Sequence, residues 1–72
     1  MDLLEIESKR TLRREEAAAF LRRLADSLER HNDLEFKLEG VQYTIRVPSE
    51  VELEVELDVE DDGTSLEIEL SW

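Results

Sequence analysis

An α+β fold, a two-layer sandwich with one amphipathic helix on a mainly antiparallel sheet in the order β-α-β-β-β-β, is what this sequence predicts. Three observations carry it. From Val51 to Val59 every odd position is Val or Leu, and from Glu52 to Glu60 every even position is Glu or Asp. A period of two marks a strand with one face for a core and one for water. Between residues 14 and 30 the apolar period changes to three and four, which marks a helix with one apolar stripe. Glycine and proline fall between periodic segments, where turns belong.

The first strand is expected at about Leu4 to Ser8, where Leu4 and Ile6 alternate with Glu5 and Glu7. The helical stripe is Ala17, Phe20, Leu21, Leu24, Ala25 and Leu28. Glu15 and Glu16 fall in the first turn, where the helix dipole favours anions. Asp26 stands four residues from both Arg22 and Arg30, the spacing of helical ion pairs. Thr11 offers a capping side chain, whereas Arg13 occupies the place, three before Glu16, where Ser or Thr would make a capping box. His31 and Asn32 end the helix, with Asn32 suited to a left-handed residue.

A hairpin follows. Leu34–Leu38 and Val41–Val47 alternate apolar and polar, and Glu39-Gly40 makes a two-residue turn that sets Leu38 against Val41, Phe36 against Tyr43 and Leu34 against Ile45. Pro48 ends the strand because it has no N–H for a ladder. The last hairpin joins Val51–Val59 to Leu66–Trp72. Reading Asp62-Gly63 as its turn pairs Asp61 with Thr64, Val59 with Leu66, Leu57 with Ile68, Val55 with Leu70 and Leu53 with Trp72. That register opposes Asp58 to Glu67 and Glu56 to Glu69, and directly opposed like charges destabilise a sheet. The first strand is expected beside Leu34–Leu38, parallel to it through a right-handed crossover, with the antiparallel place beside Leu66–Trp72 as the alternative.

The 72 residues make one domain, spanning residues 1–72. A core of this size contributes roughly 3–5 kcal/mol of net stability. With no cysteine and one histidine, neither disulfides nor a thiolate or histidine-rich metal site adds to it, and oligomerisation is the remaining support. Residues 1–49 hold ten acids and nine bases, whereas residues 50–72 hold ten acids and no base. Such a field repels phosphate and anionic membrane surfaces, so neither nucleic acid nor membrane is an expected partner. It attracts cations and basic proteins. No apolar run approaches the length of a membrane span and the N-terminus does not resemble an export signal, so a cytoplasmic setting is expected.

Catalysis is not expected. His31 has no Ser near it in sequence and no Cys exists, and acid–base work needs carboxylates in unlike environments rather than along one open face. Asp58, Glu60, Asp62 and Glu69 fit the calcium-loop spacing D-x-D-x-D-G-x5-E with Glu at the third position. That loop requires flanking helices, and here the flanks are strands. These four are the metal-ligand candidates, but the acid-rich composition accounts for the match and no cofactor is expected. The bases before and on the helix interleave with Glu15, Glu16, Asp26 and Glu29, a balanced solvated face rather than an anion site.

The helix segment REEAAAFLRRLADSLE, the C-terminal LEIELSW, Gly40 in the hairpin and Pro48 before an acidic strand together resemble the Amphi-Trp domain family. The resemblance spans nearly the whole chain. It implies small archaeal and bacterial proteins without an assigned biochemical activity, and gives no functional residues to carry over. Family members often have Ser at the helix N-cap, where this chain has Arg13.

The expected function is therefore a small non-enzymatic interaction module. Its interaction face is Glu52, Glu54, Glu56, Asp58, Glu67 and Glu69, or an exposed edge strand, and its partner is a basic protein or a second copy in a homo-oligomer. Trp72 is expected to cap the core, with an interface anchor as its alternative role. The alternative function is a salt-adapted structural domain whose acidity maintains hydration, and a more distant one is divalent-cation binding.

Overall fold

A computed structural model describes residues 3–7 and 9–72 of the chain. Its elements are β1 (Leu3–Ile6), α1 (Arg14–Arg30), β2 (Asp33–Leu38), β3 (Val41–Arg46), β4 (Glu52–Glu60) and β5 (Gly63–Ser71). The α+β class and the element order are those the sequence predicts. The first strand begins one residue earlier than expected and ends at Ile6; the expected end at Ser8 lies outside the described residues.

The strands form two sheets rather than one continuous meander. The first has the order β1-β2-β3 and the second is the β4–β5 hairpin alone. β1 runs parallel to β2, with Leu4 beside Phe36 and Ile6 beside Leu38. β2 and β3 pair antiparallel in the register expected, with Leu34 on Ile45, Phe36 on Tyr43 and Leu38 on Val41. The turn between them has φ of 52° at Glu39 and 80° at Gly40. Positive φ at both central residues is the type I′ geometry, whose twist matches the flanking strands. Glycine accepts that conformation without a Cβ clash, whereas Glu39 adopts it at a cost.

Beyond β3 the ladder is extended by one contact, the Val47 N–H donating to the Asn32 carbonyl at 2.7 Å. Pro48 then stops it, and β4 starts a separate sheet.

The second hairpin turns one residue earlier than expected, which shifts each cross-strand partner by two. Its loop is Asp61-Asp62, and Gly63 pairs with Glu60 as the first residue of β5. Leu57 therefore faces Leu66 rather than Ile68, Val55 faces Ile68 rather than Leu70, and Leu53 faces Leu70 rather than Trp72. A slip of two residues keeps every side chain on its own face, so the apolar alternation is blind to it; only a slip of one is excluded by burial.

The N-cap residue of α1 is the extended Arg13, whose guanidinium has donors only and so cannot cap a backbone N–H. Glu16 instead reaches back, its Oε1 accepting from both the Arg13 backbone N–H and the Arg13 Nε at 3.3 Å each. At the other end His31 is extended and its N–H donates to the Ser27 carbonyl at 3.0 Å. Asn32 does not take the left-handed conformation, because the chain passes directly from the helix into β2. The ion pairs formed among the described residues are Arg10–Glu7, Arg13–Glu16 and Arg14–Glu15, so Asp26 is bonded to neither Arg22 nor Arg30.

The core sits where α1 crosses β1 and β2. Leu4 and Leu34 are fully buried, Val47 just past β3 is buried as well, and Ser27 is the buried residue of the helix. Arg23 ties the helix to β1 by donating to the Leu3 carbonyl at 3.2 Å. Phe20, Leu24 and Leu28 are partly covered, while Leu21 and Ala25 face solvent.

Candidate interaction surface

The β4–β5 hairpin is a nine-residue ladder with two unlike faces. Strand alternation sets Glu52, Glu54, Glu56 and Asp58 on one side, joined across the ladder by Glu67 and Glu69. All six expected interaction-face carboxylates are exposed, and the structure brings them onto one surface. The directly opposed like charges are Glu56 with Glu67 and Glu54 with Glu69, whereas Asp58 faces Ser65. This corrects the expected pairs, again through the two-residue register. Opposed side chains lie about 4.5–5.5 Å apart at Cβ. None of these acids forms an ion pair with another described residue. Among the described residues nothing compensates this surface.

The opposite face carries Leu53, Val55, Leu57, Val59, Leu66 and Ile68, and each of them is exposed. Leu57 keeps 66% of its surface in water and Val59 keeps 69%. These residues were expected in a core beneath the helix. The reason they are bare is geometric. One helix, about 10–12 Å across, covers about two strands spaced 4.8 Å apart. Here α1 covers β1 and β2, so β3 and the hairpin are left without a second layer. Val41, Tyr43 and Ile45 of β3 are exposed accordingly. That limit was present in the sequence as one helical segment against five strand segments.

Trp72 lies past the end of the ladder and is 54% exposed, so within one chain it does not cap a core. With Leu70 it meets Phe20, Leu24, Leu34 and Phe36 around an open apolar cleft of about 480 Å³. This is where the hairpin approaches the helical layer. The cleft is continuous with the apolar hairpin face, because Leu70 and Trp72 share the parity of Leu66 and Ile68. Sequence periodicity placed these residues together but gave no sign that a gap would remain between them.

The metal-ligand candidates are divided. Asp58, Glu60 and Asp62 line a shallow hollow at the hairpin tip. Glu69 pairs with Glu54, six residues along β5 from Gly63, or about 20 Å away at strand rise. Among the described residues no group of three or more carboxylate or histidine side chains is arranged to hold a metal ion. His31 stands at the C-terminal end of α1. No helix among the described residues is long and apolar enough to cross a membrane.

The model of the Amphi-Trp domain family matches residues 2–72, essentially the whole chain, so the chain belongs to that family. No curated protein and no solved structure matches it.

Proposed function

We propose that this Amphi-Trp domain is a non-enzymatic interaction module whose working element is the β4–β5 hairpin. The observation that supports this most is that neither face of a nine-residue ladder is covered by its own chain. Contiguous exposed apolar surface of this kind marks interaction sites. On the other face the acids supply a field that steers a basic protein partner and rejects anionic ones. The acidic face takes the basic partner, with Glu54, Glu56, Glu67 and Glu69 at its centre.

The test is fluorescence anisotropy of a labelled Lys/Arg-rich peptide at low and at physiological salt. Saturable binding of one peptide per chain at physiological salt, stronger at low salt and lost when those four residues become Gln, is expected. Absence of saturable binding at both salt concentrations overturns the reading.

A second reading is favoured by the opposed pairs Glu54–Glu69 and Glu56–Glu67, which no base offsets. In it the acids serve hydration in concentrated salt. A chain that gains stability from salt and binds no basic peptide would fit that role instead.

A further inference from the structure

The chain exposes 6433 Å² of surface. A compact monomer of its 8.4 kDa mass exposes about 4,600 Å² by the usual scaling, so about 1,800 Å² is in excess. Its radius of gyration is 13.7 Å, against about 11 Å for a compact domain of this length. Part of the excess lies on β3 and part on the β4–β5 hairpin, whose Leu53, Val55, Leu57, Val59, Leu66 and Ile68 are all exposed. An isolated two-stranded hairpin is marginal in water, and a cover for its apolar face is what would stabilise it.

We infer that the cover is a second copy of this chain, the apolar faces of two β4–β5 hairpins packing against each other across a two-fold axis. This rests on reading the hairpin as an interaction element, and names the occupant of its apolar side. Three arguments select a second copy. The first is area: one face of the nine-residue, two-stranded ladder is about 30 Å long and about 10 Å wide, and with its side chains it approaches the roughly 800 Å² per partner of a standard protein interface. The second is charge. Two sheets stacked face to face lie about 10 Å apart. That arrangement directs both acidic faces outward, separated by more than the Debye length of about 8 Å at physiological salt. Stacking through the acidic faces would instead bring uncompensated carboxylates together. The third is shape. Val55 and Val59 alternate with Leu53 and Leu57 along β4, a small-and-large pattern that interdigitates with itself, and a self-complementary patch closes as a dimer rather than growing into a filament.

Sedimentation equilibrium of the full chain over a wide concentration range tests this, paired with thermal melts at the same concentrations. The expected species has twice the chain mass, with a melting midpoint that rises with protein concentration. Leu57→Lys should weaken the dimer at least tenfold, Leu57→Met should leave it within about threefold, and Glu56→Gln on the opposite face should not weaken it. The melts on the unaltered chain decide the matter if Leu57→Lys fails to fold. A monomer at all concentrations, a concentration-independent midpoint, an assembly larger than a dimer, or a dimer indifferent to Leu57→Lys would each overturn the inference. A monomer that still binds the basic peptide would overturn the dimer alone; a dimer that binds no basic peptide would overturn the acidic-face function alone.

Discussion

The two sheets of this protein are built from the same alternating pattern and end in opposite states. In β1-β2-β3 the apolar positions meet a helix, and Leu4 and Leu34 lose essentially all contact with water. In β4–β5 the pattern is longer and more regular, yet Leu57 and Val59 remain about two-thirds exposed. The charge divides along the same line: the first 49 residues nearly balance, and the last 23 carry ten acids and no base. Regular alternation specifies a strand and its faces. It does not supply the second layer, which has to come from another element or another chain.

The contrast is broken most directly at its two extremes. Leu34→Ala should cost about 2–5 kcal/mol, because it truncates a fully buried side chain of the core. That approaches the whole stability of a domain this small, roughly 3–5 kcal/mol. Leu57→Ala, measured at concentrations where the chain is monomeric, should change stability by about 0.5 kcal/mol or less, as at other exposed positions. Urea titrations of both variants check the pair. Equal losses would show that the hairpin is covered within a single chain.

How much of this was legible beforehand differs between the two sheets for a physical reason. The helix and the β2–β3 register follow from local signals, a stripe at spacings of three and four and a Glu-Gly turn, whereas the sequence leaves β1 a choice of two neighbours and the structure sets it parallel to β2. Those signals act over a few residues. The separation of β4–β5 from β3 does not arise locally. Pro48 marks a stop, but nothing in the alternation of Val51–Val59 says whether the next strand rejoins the sheet. The acidic face was legible residue by residue, since parity alone assigns it. The register within it was not, because parity is preserved by a shift of two. The exposure of the apolar face was legible only as a count of layers.

Trp72 sharpens the boundary between the regions, since it sits where the hairpin meets the helical layer. A fully buried Trp replaced by Ala would cost about 3–5 kcal/mol. At 54% exposure the expected loss in the monomer is roughly half of that. The variant should retain its helical circular dichroism, with a lowered urea midpoint. Complete unfolding would mean that Trp72 closes the cleft with Phe20 and Leu24 in solution.

The two glycines compare the hairpins directly. Gly40→Ala forces a side chain into φ of 80° and should cost about 1–2 kcal/mol. Gly63 has no positive φ, and an added Cβ would meet nothing within 4 Å. Gly63→Ala should therefore be neutral or stabilising by up to about 1 kcal/mol. Thermal melts of the two variants measure the difference. A costly Gly63→Ala would restore Asp62-Gly63 as a type I′ turn, and with it the register that opposes Leu57 to Ile68.

The smallest expected effect tests the acidic face itself. Glu56 and Glu67 lie opposite each other, and among the described residues no cation pairs with either. Their repulsion is worth about 0.2–1 kcal/mol, so Glu56→Gln should stabilise the hairpin by an amount in that range. Raising monovalent salt from low to molar concentration should stabilise the unaltered chain in the same sense. The screening length falls from about 30 Å at 0.01 M to about 3 Å at 1 M, shorter than the cross-strand spacing. The two effects are linked: once salt has screened the pair, removing one charge has little left to relieve, and the Glu56→Gln gain should shrink toward zero. Melting curves of both proteins across a salt series give that coupling. A gain that persists undiminished in molar salt would mean that Gln stabilises the strand by packing rather than by lost repulsion. A Glu56→Gln loss would mean that the carboxylate is already held by a cation from outside the chain.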